Sequence, residues 1–148
     1  KRAPQRQAYR LVELKRVADA LQVPLNPQPK FFPVPADPAA LLIVAASQLQ
    51  GEDAALELAG RFGTAVWVEQ RDIGDEATRQ AIVAEAGLPD DLHARAAAPD
   101  TRDRYAAYTQ QALDGGVFGA PSYVVDGEIF WGQDRLDFLA SRLSAAQG

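Results

Sequence analysis

Apolar residues recur with the period of a helix along most of this chain, and with the period of a strand only near its end. In "PQRQAYRLVELKRVADALQV" the apolar positions Leu11, Leu14, Ala18 and Leu21 share one helical face, and Pro24 stops the run. The following "PLNPQPKFFPVPADP" carries prolines at 24, 27, 29, 33, 35 and 38. Proline fixes φ and removes a backbone donor, so this segment reads as extended loop or short strand, presenting Lys30, Phe31 and Phe32. Asp37 and Pro38 then suit the N-cap and first position of a helix that runs to Gln50 and ends at Gly51.

The helical pattern continues through four more segments. Residues 52–68 place Leu58, Phe62 and Val66 on one side. Asp75 caps the next helix, which Gly87 and Pro89 close. Asp90 to Ala98 forms a short helix. Asp100 starts another, with Tyr105, Tyr108 and Ala112, and Gly115-Gly116 terminates it. The period then changes. "SYVV" is β-branched and aromatic, "DG" at 126–127 is a strong hairpin signal, and "EIFW" is the return strand. Gly132 breaks the strand, and Gln133-Asp134 opens a last helix with Leu136, Leu139 and Leu143. The order is several helices, one β-hairpin and one helix. A lone hairpin is marginal and exposes two edges, so it is expected to join other strands.

Composition narrows the function. The 148 residues are 47% hydrophobic, enough for one domain with a core. The net charge is −5 and no basic run exists, which argues against a nucleic-acid partner. No apolar run approaches the roughly 18 residues of a membrane span; "AALLIVAA" (39–46) reads as a buried helix segment. Cysteine is absent, and the single histidine, His93, is too few for a His-based metal site. Glu69, Asp72, Asp75 and Glu76 fit no calcium-loop spacing. Tyr105, Tyr108 and Trp67 are expected in a core or interface. Methionine is also absent and the sequence opens on "KRAPQRQ", so residue 1 reads as an internal position of a longer protein, the alternative being a processed terminus. The lack of cysteine and of a signal segment fits the cytoplasm.

Two local features carry chemistry. Ala120-Pro121 stands just before the first hairpin strand. It is either an ordinary turn proline or a cis bond that leaves the Ala120 backbone free to pair with an extended peptide-like ligand. In Trp131-Gly132-Gln133-Asp134 a strand ends and a helix begins. Either Gln133 or Asp134 simply caps that helix, or the helix start takes a carboxylate while Asp134 takes an ammonium.

Together, "GVFGAPSYVVDGEIFWGQDRLDFL" closely resembles the C-terminal signature of the 2-hydroxychromene-2-carboxylate isomerases, thioredoxin-fold enzymes related to the kappa-class glutathione transferases. "YRLVELKRVADALQVPL", "PQPKFFPV", "AVWVEQRDIGDEATRQAIVAEAGL" and "RYAAYTQQALDGGVFGAPSYVVDG" resemble the family's insertion helices and return to the sheet. The resemblance implies an α/β, thioredoxin-like fold with a large helical insertion. In this chain that is mostly α, with a C-terminal β-hairpin and helix and without the N-terminal βαβ unit. Residues 1–116 correspond to the insertion and 117–148 to the ββα part.

By the same resemblance the cofactor is glutathione. Ala120, preceding a cis Pro121, pairs with its cysteinyl part, while Trp131, Gly132, Gln133 and Asp134 hold its γ-glutamyl end. Relatives often carry Asn or Ser where Gln133 stands. Phe31 falls where some members place a substrate-lining Tyr, and Lys1 lies near a basic position that meets the acidic substrate. The catalytic Ser, or Cys in some relatives, belongs to the unit before residue 1, so no residue here takes that role. The implied reaction is reversible thiolate addition to a hydroxychromene carboxylate, ring opening, bond rotation and elimination to trans-o-hydroxybenzylidenepyruvate, in aromatic catabolism. The implied partners are a small aromatic carboxylate and a second copy in a homodimer. The alternatives are a kappa-type glutathione transferase or thiol–disulfide oxidoreductase on the same fold, and a non-catalytic glutathione-binding scaffold.

Overall fold

The structure, a computed structural model, describes residues 3–145; Lys1 lies outside them. Two compact units make up the chain, Lys1–Arg102 and Asp103–Gly148.

The first unit is helical. Helix α1 spans Pro4–Leu21, α2 Asp37–Gln50, α3 Glu52–Trp67, α4 Glu76–Glu85 and α5 Leu92–Ala97. Its core is the apolar stripe of α3 set against α2, α4 and α5: Leu58, Ala65, Ile82 and Leu92 are buried, with Leu42, Ala45 and Phe62 around them. The expected core face of α3 and the buried stretch within α2 are therefore present. Thr101 is the buried polar residue of this unit; its hydroxyl lies 2.8 Å from the Arg95 carbonyl and 2.8 Å from the Gln48 side-chain oxygen. Burial without such partners would be costly.

Capping follows the sequence with one correction. Asp75 accepts from the Thr78 backbone N–H at 2.8 Å and caps α4. Asp37 does not cap α2: it lies inside the first turn, Ala36 is the N-cap, and no side chain caps that end. A negative charge in the first turn still favours the helix dipole. The expected apolar face of α1 is exposed: only Leu14 and Ala18 are half-buried, while Leu11 and Leu21 face solvent.

Between α1 and α2 the proline segment is irregular and tied down. The Asn26 backbone N–H donates to the Trp67 carbonyl at 2.7 Å, and its side-chain amide donates to the Val68 carbonyl at 2.8 Å. The Lys30 N–H reaches Gln70 Oε1 at 3.3 Å. These bonds hold the loop to the C-terminal end of α3.

The second unit begins within α6 (Pro99–Asp114). That helix ends in a Schellman motif: Gly116, at φ +74°, donates to the Leu113 carbonyl and Val117 to the Ala112 carbonyl. Strands β1 (Ser122–Val125) and β2 (Glu128–Trp131) form an antiparallel hairpin with Val125 opposite Glu128. Asp126 and Gly127 both have positive φ, as a type I′ turn requires. A 3-10 turn over Gln133–Arg135 then leads into α7 (Leu136–Ala145). So the last helix opens at Gln133 as expected, but its first turn is the tighter form. Arg142 on α7 pairs with Asp126 at 2.8 Å and Glu128 at 3.5 Å, pinning α7 to the hairpin.

Candidate functional site

The loop that carries Ala120-Pro121 and the end of β2 meet within the second unit. The Gly132 N–H donates to the Pro121 carbonyl at 3.0 Å, closing the ladder beyond the Ser122–Trp131 pair. Ser122 Oγ donates to the Gly119 carbonyl at 2.5 Å. The Trp131 indole lies over Gly119, and its ring centroid is 5.0 Å from that of Phe118, edge to face. Residues 118–122 and 131–132 thus form one packed corner. Ala120-Pro121 is cis. Ala120 is exposed, and its N–H and C=O carry none of the turn and loop hydrogen bonds found among the described residues.

The corner brings Ala120, Pro121, Trp131 and Gly132 together. Gln133 and Asp134 follow at its rim, both exposed. The Asp134 carboxylate pairs with the neighbouring Arg135 guanidinium at 2.6 Å. Both side chains are at least half exposed, so solvent screens the pair and an exchange of partner costs little. A short peptide with an exposed backbone and an ammonium end fits this donor and acceptor set. Trp131 itself packs on glycine and phenylalanine, so its visible part is to shape the corner.

Phe31 belongs to the first unit. It is half-buried, with Lys30 Nζ 4.9 Å from its ring centroid. A cavity of about 520 Å³ opens beside it between α1 and the proline loop, but Phe31 does not line it. Phe32 does, with Trp67, whose ring centroid is 4.7 Å away at a 45° tilt. Arg6 and Arg10 line the opposite, α1 side. Trp67, expected as core, is half-buried and divides its surface between the core and this cavity. Two arginines four apart on one helix face and an aromatic pair in a stiff loop stand in the sequence, but nothing local there brings them to Trp67.

Other polar groups serve the scaffold. Arg71 bridges Glu69 at 3.2 Å and Glu85 at 2.9 Å; the bond from Arg71 holds the Glu85 carboxyl below its ordinary range. The bonds from Thr78 likewise lower Asp75. Asp72 accepts from the Gly74 N–H at 2.8 Å. Among the described residues no group of three or more potential ligands is placed to hold a metal ion. His93 Nε2 is buried without a hydrogen-bond partner there.

The model of the DSBA-like thioredoxin domain matches residues 1–144. This chain belongs to that family. Within it, the chain is similar to the 2-hydroxychromene-2-carboxylate isomerase of Sphingobium xenophagum, at 36% identity over 100 residues. The alignment covers 67% of this chain and 51% of that relative, so the chain spans about half the length of the curated relative it matches. A solved structure of a 2-hydroxychromene-2-carboxylate isomerase superposes with a TM-score of 0.79 at 23% identity, over 94% of this chain and 66% of that one. The cytosolic disulfide reductase DsbM of Pseudomonas aeruginosa superposes with a TM-score of 0.66 at 21% identity, over 94% and 77% of the two chains. Its structure with GSH gives 0.64 at 20% identity, over 87% and 72%. At such identities the likeness concerns the fold, and it bears out the thioredoxin-like class expected from the sequence. No helix among the described residues is long and apolar enough to cross a membrane.

Proposed function

We propose that the whole protein is a glutathione-dependent isomerase of the 2-hydroxychromene-2-carboxylate type, taking a hydroxychromene carboxylate to trans-o-hydroxybenzylidenepyruvate in the cytoplasm. The observation that carries this reading is the 36% identity to a named isomerase across 100 residues. In this reading residues 1–116 are the helical insertion and 117–148 the ββα return of a thioredoxin-like domain. The Ala120 backbone pairs with the cysteinyl part of glutathione, the corner formed by Pro121, Trp131 and Gly132 sets its path, and Gln133 and Asp134 take the γ-glutamyl end. When bound, glutathione supplies a thiolate nucleophile. The residue that activates it is not assigned within this chain.

A second reading, a thiol–disulfide oxidoreductase or kappa-type transferase, is favoured by the likeness in fold to a disulfide reductase. The nucleophile of the whole protein separates the two: a Cys-x-x-Cys pair supports the reductase, and a lone Ser the isomerase. The decisive test of the site is calorimetric titration of glutathione into the full-length protein and its Asp134→Ala variant. Saturable binding weakened by more than roughly 1 kcal/mol, the scale of a charged hydrogen bond, is expected. Absence of binding to well-folded protein overturns the reading. Binding without isomerase turnover leaves the non-catalytic scaffold.

A further inference from the structure

Two Asp-Gly steps stand in the chain, Asp114-Gly115 and Asp126-Gly127. An aspartate followed by glycine closes on its own backbone more readily than other pairs, because no Cβ on the next residue shields the attacking nitrogen. The fold treats the two steps differently. All four residues are exposed, so access of water does not separate them. The glycine nitrogen does. The Gly115 N–H donates to the Gln111 carbonyl at 2.9 Å at the end of α6, and a Cβ built there would lie 3.2 Å from that same oxygen. The Gly127 N–H carries none of the turn and loop hydrogen bonds found among the described residues, and nothing lies within 4 Å of the space a Cβ would fill. Asp126 and Gly127 also form the tip of a two-stranded hairpin, which opens more easily than a hydrogen-bonded helical turn. One restraint acts at the tip. Arg142 of α7 donates to the Asp126 carboxylate at 2.8 Å and holds that side chain toward α7. Swinging the carboxyl carbon over the Gly127 nitrogen breaks this bond.

We propose that Asp126-Gly127 is a site of spontaneous isomerisation to isoaspartate, that the end of α6 protects Asp114-Gly115 from the same reaction, and that Arg142 slows it at Asp126. The Gly127 nitrogen attacks Cγ of the Asp126 carboxyl in its neutral form. A C–N bond forms, a C–O bond breaks, and the amide hydrogen leaves with the carboxyl hydroxyl as water. The product is a five-membered imide. Water then adds to one of its two carbonyls. Opening at Cγ restores aspartate, while opening at the former peptide carbon routes the chain through Cβ and Cγ. The net change is an isomerisation, with nothing oxidised or reduced. It adds one methylene to the backbone of a two-residue type I′ turn, so Val125 and Glu128 lose their register and α7 loses its Asp126 anchor. The site is independent of the isomerase reading.

The test is ageing of the full-length protein, folded and in urea, beside its Arg142→Ala and Arg142→Gln variants. Peptide mapping locates isoaspartate, and methyl transfer from S-adenosylmethionine by an isoaspartyl methyltransferase counts it. In the folded protein, conversion at Asp126 is expected at least about tenfold ahead of Asp114, the factor that one retained hydrogen bond of about 1.4 kcal/mol supplies. In urea both steps lose their folded surroundings and convert at similar rates. Arg142→Ala is expected to speed the folded reaction at Asp126 by about two- to fivefold, the range of an exposed ion pair, and to change nothing in urea. Equal conversion at the two steps in the folded protein overturns the site, as does no conversion at Asp126 over a period in which the unfolded chain converts. An unchanged rate in Arg142→Ala overturns the role of Arg142. Circular dichroism reports folding; if Arg142→Ala loosens α7, Arg142→Gln, which keeps part of the stem and removes the charge, carries the same expectation and the same refutation.

Discussion

Gly119→Ala probes the packed corner directly. A Cβ added at Gly119 would lie 2.6 Å from Trp131 Nε1 and 3.2 Å from Cε2. Neither carbon nor ring can accept that approach, so the indole must swing away. It then loses its edge-to-face contact with Phe118, worth about 0.5–1.5 kcal/mol. Overpacking adds about 1–3 kcal/mol, at the lower end here because Trp131 is 52% exposed and has room to move. Against this, alanine restricts the unfolded chain and returns about 0.4–1 kcal/mol, since Gly119 does not have a positive φ. The net expectation is a loss of about 1–2 kcal/mol, read as a lower urea midpoint at unchanged slope. The same substitution in a Trp131→Ala background meets no ring. There only the unfolded-state gain remains, so Gly119→Ala becomes neutral or stabilising, and the cycle gives a coupling of about 2 kcal/mol. Equal cost in both backgrounds would refute the steric account and return Gly119 to an ordinary loop position.

Two further outcomes test the scaffold. Leu58 is fully buried at the centre of the first unit, so Leu58→Ala is expected to cost about 2–5 kcal/mol in denaturant unfolding. Acid should destabilise the same unit through Asp75 and Glu85. Both carboxyls are held below their ordinary values of 3.8 and 4.5, Asp75 by the Thr78 bonds and Glu85 by Arg71. Their contribution is complete above those ordinary values and is lost as pH falls through the depressed folded ones. Thermal unfolding from neutral to strongly acidic pH should therefore show a fall that is smaller in an Asp75→Asn, Glu85→Gln double variant.

Local signals were legible in the sequence and juxtapositions were not. Asp75, Gly87, Gly116 and the Asp126-Gly127 turn each act within a few residues, and each ends or starts the element expected of it. Asp37 was placed one residue off because Pro38 tolerates the second helical position as well as the first. The Ala120–Asp134 corner was readable because strand, turn and return lie close in sequence. The cavity was not, because it depends on Trp67 being brought to the proline loop by Asn26, a pairing some forty residues apart. Periodicity marks Phe31 and Phe32 alike as aromatic loop residues; only the anchoring of that loop decides that Phe32 faces Trp67.

The Asp134–Arg135 pair gives a last, signed test of the proposed glutathione site. The two groups meet at 2.6 Å with half or more of each side chain in water, so the pair contributes about 0.2–1 kcal/mol at most. If Asp134 takes the γ-glutamyl ammonium, Arg135 competes for the same carboxylate, and a nearby guanidinium also repels the incoming cation. Removing it in Arg135→Ala should tighten glutathione by up to about fivefold, the equivalent of that pair energy. High salt should shrink the gain, because exposed charges are screened within about a Debye length. If Arg135 instead holds Asp134 in its binding rotamer, the variant weakens glutathione, and high salt shrinks that loss because it weakens the same pair in the unsubstituted protein. Calorimetry of Arg135→Ala at low and high ionic strength separates the two signs. A weakened, salt-sensitive affinity would refute competition while leaving Asp134 at the site; an affinity indifferent to both Arg135 and Asp134 would move the γ-glutamyl end away from this helix start altogether.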